Sequence, residues 1–195
     1  MSEEVFRGIF LVGFLVGSVI RRIYTWGHWR REAAVDHRSA LDSALVMLSS
    51  LGLVVAPLLY LATSWFDFAD YRLPSCAGAV GAVVFVPALW LLWRSHVDLG
   101  RHWSAYPQLT PEHSLVTTGV YRRIRHPMYA AHWLWGIAQV LLLHNWIAGP
   151  ALLVTLLPLY LVRAPREEQM LLEAFGDDYR GYVSRTGRLL PRVRG

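Results

Sequence analysis

The sequence predicts an all-α integral membrane protein of five transmembrane helices, with a tight hairpin between the fourth and fifth and an amphipathic helix at the C-terminus. Three observations carry this. The chain of 195 residues is 54% hydrophobic with nine tryptophans and a mean hydropathy of +0.32, more apolar than one soluble core requires. Its apolar residues fall into five runs separated by polar stretches. Every one of the 19 basic residues is arginine, and the arginines gather between alternate runs.

The first run spans about 5–20. Glu3, Glu4 and Arg7 lie at its start and Arg21-Arg22 follows it, where a cleavage site would need small residues, so it is expected to stay as an anchor. The second run, 44–66, is long enough to cross a hydrocarbon core of about 30 Å. The third covers 76–93. The fourth and fifth, 129–146 and 147–162, meet at His144-Asn145-Trp146 with almost no linker, which predicts an antiparallel hairpin. Each hairpin arm is short, since sixteen residues rise about 24 Å, so tilted or re-entrant arms fit as well as full spans.

Charge gives an independent test. If all five runs cross, the 21–43 loop, the 94–128 loop and the tail from Arg163 share a side and hold every arginine except Arg7 and Arg72. Such asymmetry places the N-terminus outside and the loops and C-terminus in the cytoplasm. Trp26, Trp29, Trp65, Trp90, Trp93 and Trp146 lie near run ends, as an interfacial belt requires. Gly13-x-x-x-Gly17, and Gly78 with Ala82, permit close helix contact. Pro57, Pro87 and Pro158 lie inside apolar runs and predict kinks. From Arg163 onward, Glu168, Leu171, Leu172, Phe175, Tyr179 and Tyr182 recur at helical spacing, which predicts an amphipathic helix along the membrane or over a site. The whole chain reads as one domain.

Composition also excludes classes. A pI of about 9.7 does not point to nucleic acid, because the arginines sit in short segments where they set topology and meet anionic headgroups. Cys76 is the only cysteine, so there is no internal disulfide and no cysteine metal site. Eight histidines are present, and His132 and His144 in the fourth run raise haem or metal ligation. No HExxH, Cys/His pair or two-helix histidine ladder accompanies them, so no metal is expected.

Two constellations are candidates for chemistry. In His126-Pro127-Met128-Tyr129 the proline suits a first helical turn, placing His126 at the N-terminus of the fourth helix. Free N–H groups there favour an anionic or carboxylate-bearing ligand. An interfacial cap with Tyr129 in the aromatic belt fits this stretch equally. Arg163 and Glu167, four apart, share a face and pair if the helix is continuous, though Pro165 can instead begin a new helix. At a membrane boundary Arg163 also suits bidentate grip of a carboxylate or phosphate. The 94–128 loop is too long for a plain connection, and its apolar pieces at Leu115-Val116 and Val120-Tyr121 suggest a folded pocket lid.

Four motifs in order then carry a resemblance: Leu99-Gly-x-x-Trp-Ser; His113-x-Leu-Val-x-x-Gly-x-Tyr121; Arg125-His-Pro-Met-Tyr129; and Arg163-x-x-x-Glu-Glu-x-x-Leu-x-x-x-Phe-Gly-Asp-x-Tyr179. Over about residues 94–193 the chain resembles the isoprenylcysteine carboxyl methyltransferase family, particularly its short prokaryotic members. The resemblance implies a membrane enzyme using S-adenosylmethionine without a soluble Rossmann domain, in keeping with the lack of a GxGxxG motif. It implies that His113, Ser114, Leu115 and Val116 contact the cofactor, that Tyr121 flanks it and that His126, Pro127, Met128 and Tyr129 wrap it. Glu167 would hold a polar part of the cofactor, and Arg163 would bind the carboxylate of a lipid-like, prenylated substrate entering from the bilayer. One departure is Ala130-Ala131, where many relatives carry glycine or another small residue two places after the tyrosine. Rival readings are methylation of a phospholipid amine or thiol, and an NADPH-dependent reductase of the sterol type, whose C-terminal portions share an Arg-His-Pro-x-Tyr element and a terminal Tyr-x-x-Tyr pattern. A membrane haem binder or scaffold is the non-enzymatic alternative.

Overall fold

Hydropathy locates the helices of this chain, but helix formation does not stop where the apolar residues do. The computed structural model describes residues 3–32, 39–100 and 114–192, with backbone alone for 25–32. Among them are five long helices: α1 Glu3–Glu32, α2 Ala40–Ala62, α3 Ser75–Leu99, α4 Pro127–Leu143 and α5 Ala151–Arg185. Two of these, α2 and α3, are long and apolar enough to cross a membrane by length and composition. Among the described residues the only β contacts are two isolated bridges.

Three expected ends move. Residues 21–32, expected as loop, continue α1, because Arg, Ile and Tyr without proline propagate a helix that has already nucleated. The third helix likewise runs six residues past Trp93 and stops at Gly100, whose φ of 54° ends it. The fifth run and the amphipathic tail, expected as separate elements, form the single helix α5, which contains both Pro158 and Pro165 and leaves helical geometry only at Gly176, at φ 49°. Each internal proline removes one backbone bond, a cost of about 3 kcal/mol, here offset by the contacts that the 163–168 stretch makes with α4.

The core joins α1, α3 and α4 through aromatic rings. Phe10 stacks on Phe85 at 5.8 Å, and Phe85 meets Trp135 edge-on at 5.0 Å. Small residues make the room: a Cβ at Gly13 would enter the Phe85 ring, one at Gly17 the Trp135 ring and one at Gly78 the Phe6 ring, in agreement with the spacing read from the sequence. Polar ties reinforce the bundle. His132 donates from Nδ1 to the Met128 carbonyl at 2.8 Å, which leaves Nε2 to accept from Arg21 of α1 at 3.1 Å. Gln139 of α4 donates to the Gly52 carbonyl at 3.2 Å and the Ala148 carbonyl at 2.7 Å. Gly52 belongs to a π-helical stretch of α2, Leu51–Val55, set against Ala151 and Thr155 of α5.

Outward faces are apolar. Val12, Leu15 and Val19 on α1, Val80, Val83 and Val86 on α3, and Val154, Leu157 and Leu161 on α5 are all exposed. Contiguous stripes of this kind suit hydrocarbon and not water. Between α4 and α5 the chain turns through His144, at φ 47°, and Asn145. The Asn145 carboxamide oxygen accepts from the N–H groups of Ile147 and Ala148, while its Nδ2 donates to the Phe66 carbonyl and to Asp70. A turn does join the two helices there, but it takes residues 144–150, so that α5 begins at Ala151 and not at 147 as expected, and it is pinned from outside by the 66–71 segment.

Candidate active site

Proline at the first position of α4 sets the site. Pro127 has no N–H to lose and a φ suited to a helix start, so the turn before it presents His126 at the N-cap. The backbone of this turn is held by the far end of the chain: Arg125 N donates to Gly187 O at 2.8 Å, His126 N to Arg188 O at 3.0 Å, and Gly187 N to Arg123 O at 3.0 Å. Ile124 and Gly187 form a parallel bridge. The bend at Gly176 is what returns the tail to this turn.

Two adjacent carboxylates of α5 then meet α4. Glu168 accepts from His126 Nε2 at 3.1 Å, Arg125 Nε at 3.2 Å and Arg188, through Nε at 3.1 Å and Nη2 at 2.6 Å. A carboxylate only accepts, so the His126 proton lies on Nε2. Burial alone would raise the Glu168 carboxyl, but the hydrogen bonds from His126, Arg188 and Arg125 outweigh it and hold the group well below the usual carboxylate range. The same bond raises the Arg188 guanidinium. Glu167 is provisioned differently. It accepts from the Tyr129 hydroxyl at 3.0 Å and lies 3.7 Å from Arg163 Nη2 and 3.6 Å from His126 Nδ1. A carboxylate has about four lone-pair sites, and Glu167 keeps capacity that Glu168 has spent.

Aromatic rings close one flank. Tyr129 packs edge-on against Tyr160 at 5.4 Å, and Trp133 does so at 6.2 Å. Tyr121 is buried in the 3₁₀ turn Gly119–Arg122; its hydroxyl reaches the Ser95 carbonyl at 3.4 Å and its carbonyl accepts from the Tyr182 hydroxyl at 2.7 Å. Burial pushes its phenol well above the ordinary value, with Tyr182, Glu167 and Asp98 adding to the effect. The crook of α5 holds an open groove of about 400 Å³ lined by Glu168, Leu172, Tyr179 and Val183.

Of the residues singled out in the sequence, His126, Tyr129, Arg163 and Glu167 come together here. Pro127 is buried and Met128 half-buried beside them. Arg163 and Glu167 do share a helical face, because Pro165 does not interrupt α5. Ser114 is exposed, and Leu115 and Val116 are half-buried in the irregular segment leading to Tyr121. His113, the Trp103-Ser104 part of the first motif, the 101–113 portion of the expected lid and the Trp26 and Trp29 side chains lie outside the described residues. Sequence reasoning missed the structural weight of Glu168, Arg125 and Arg188. The Glu167-Glu168 doublet was the available signal, but nothing local says which carboxylate meets which arginine.

The chemistry of this donor set fits S-adenosylmethionine. A carboxylate with acceptor capacity to spare suits an ammonium, and the positive end of a helix, such as the start of α4, suits a carboxylate.

Residues 79–173 match the family model described as the isoprenylcysteine carboxyl methyltransferase (ICMT) family. The human protein-S-isoprenylcysteine O-methyltransferase is 36% identical over 83 residues, which cover 43% of this chain and 29% of the human protein. An Arabidopsis thaliana protein-S-isoprenylcysteine O-methyltransferase B is 36% identical over 81 residues, covering 42% of this chain and 41% of that protein. The matched region is thus less than half the length of these curated relatives. Among solved structures, a eukaryotic intramembrane Ras methyltransferase ICMT superposes with a TM-score of 0.51 at 23% identity, covering 83% of this chain and 56% of that one. That similarity speaks for the fold.

Proposed function

We propose, from the match of residues 79–173 to the ICMT family model, that this chain is a single-domain, multi-pass membrane methyltransferase that esterifies the carboxylate of a lipid-like acceptor, a C-terminal prenylcysteine, with S-adenosylmethionine as donor. The observation that carries the proposal is the division of labour between the two adjacent carboxylates: Glu168 is saturated by His126, Arg125 and Arg188, while Glu167 stands beside Arg163 with acceptor sites to spare. In this reading the five helices all cross, the N-terminus lies outside, and the site faces the cytoplasm, where seventeen of the nineteen arginines would lie.

When bound, the cofactor supplies an electrophilic methyl on a sulfonium. Glu167 holds its amino group; His126, Pro127, Met128 and Tyr129 wrap it from the α4 turn, with Tyr121 and the Ser114, Leu115 and Val116 segment on the other side. Arg163, buried at the end of the apolar part of α5, binds and orients the acceptor carboxylate. No general base is needed, because a carboxylate is already ionised near neutral pH. Alignment supplies most of the acceleration. The Tyr129, Trp133 and Tyr160 rings keep water out, and a water-poor site favours a reaction in which opposite charges cancel.

The test uses the purified protein in lipid nanodiscs with methyl-labelled S-adenosylmethionine and four acceptors: farnesylcysteine, an isoprenoid acid, phosphatidylethanolamine and an alkyl thiol. Label is expected in a base-labile ester on farnesylcysteine. Transfer to the amine or thiol with none to either carboxylate would overturn the acceptor class, and binding of NADPH in place of S-adenosylmethionine would overturn the reaction.

A further inference from the structure

We infer that Asp98 is a positioning residue that fixes the chain segment leading into Tyr121, and so sets cofactor affinity without touching the reacting groups; this rests on the reading that Ser114, Leu115, Val116 and Tyr121 contact the cofactor. Asp98 stands in the last turn of α3, where the helix dipole disfavours a carboxylate. Its side chain is only 9% exposed. A buried acid in so unfavourable a place is held by its partners. Oδ1 accepts from Arg94, one turn earlier, at 2.5 Å, and Oδ2 accepts from the Val120 backbone N–H at 2.9 Å, across 22 residues.

The turn that carries its partner is shaped to receive it. Gly119 has φ +58°, a conformation that side chains other than glycine rarely adopt, and a Cβ there would collide with the Asp98 carboxylate. The absence of a side chain at 119 is therefore what lets the carboxylate reach the next amide. Two residues on, the Tyr121 hydroxyl meets the Ser95 carbonyl of the same helix end, and the Tyr121 carbonyl is bonded by Tyr182 from the C-terminal arm. The turn Gly119–Arg122 is thus caught between two elements. Asp98 is its sole charged tether to α3 among the described contacts, while Arg94 neutralises and orients that tether.

A hydrogen bond to a charged group contributes on the order of a tenfold or greater factor in an equilibrium, and that factor should appear in binding alone. In Asp98→Ala the dissociation constant for S-adenosylmethionine, measured by calorimetry in nanodiscs, is expected to rise about tenfold or more while kcat at saturating cofactor stays within about threefold. Asp98→Asn keeps an oxygen that accepts from Val120 and should restore affinity to within about threefold of wild type. Gly119→Ala attacks the same contact from the other side and should reproduce the Asp98→Ala binding defect, which keeps the test open if Asp98→Ala does not fold. Unchanged affinity in Asp98→Ala, or kcat falling in step with affinity, would overturn the inference. Amide hydrogen exchange at Val120 and Tyr121 separates the two claims: if wild type fails to bind S-adenosylmethionine, the functional proposal falls, and protection that persists in Asp98→Ala or Gly119→Ala overturns the tether while its loss upholds it.

Discussion

Replacing Glu168 by alanine removes the partner of three donors at once, and it separates the roles of the two neighbouring carboxylates. In the native protein Arg125 is 12% exposed, Arg188 40% and Glu168 itself 21%. Breaking a fully buried pair costs about 3–5 kcal/mol, and an exposed pair is worth about 0–1 kcal/mol. The intermediate burial here places Glu168→Ala at about 2–3 kcal/mol. For a chain of this size that corresponds to a fall in Tm of roughly 4–12 °C. Glu167→Gln, by contrast, retains an oxygen to accept from Tyr129 and leaves the Arg125–Glu168–Arg188 cluster whole, so its Tm should stay within about 2 °C while cofactor affinity falls. Tryptophan fluorescence melting in nanodiscs, paired with calorimetric titration of S-adenosylmethionine, reads both quantities on one preparation. Equal destabilisation by the two variants, or a wild-type Tm in Glu168→Ala, would refute the division of labour.

The acid side of the same cluster has a definite sign. Glu168 is held below its ordinary range, so its contribution is fully present above the unfolded value of about 4.3 and is lost as pH falls below it, where the unfolded chain binds the extra proton. Wild type should therefore lose more Tm between pH 6 and pH 3.5 than Glu168→Gln does; parallel losses would remove Glu168 as the cause.

Other substitutions probe the rest of the reading. Arg163→Ala should lower methyl transfer at least about a hundredfold through lost alignment while calorimetric affinity for S-adenosylmethionine remains within about threefold; equal loss of both would make Arg163 structural. Gly13→Val would force a side chain into the Phe85 ring and should destabilise by about 1–3 kcal/mol, seen as a lower melting midpoint. Gln139→Leu leaves the Gly52 and Ala148 carbonyls without their donor and should cost about 1–2 kcal/mol, the range for polar contacts between membrane helices.

What the sequence determined by itself was local. Five apolar runs gave five helices, Pro127 marked the start of α4, the small residues at 13, 17 and 78 marked where rings would press, and the four-residue step from Arg163 to Glu167 put a cation and an anion on one face. Each depends on a repeat or a conformational limit within a few residues, and those operate in any surroundings. Helix ends were harder to read, because hydropathy reports depth in the membrane, whereas Arg21, Arg94 and Arg166 are good helix formers on the polar side of that boundary. Only the tertiary structure decided that Glu168 belongs to Arg125 and Arg188, that the tail returns to brace the turn before Pro127, and that Asp98 holds Val120. Those pairings join residues 20 to 64 positions apart, and which of several similar charges meet is fixed by how the helices pack and where α5 bends at Gly176, not by any spacing along the chain.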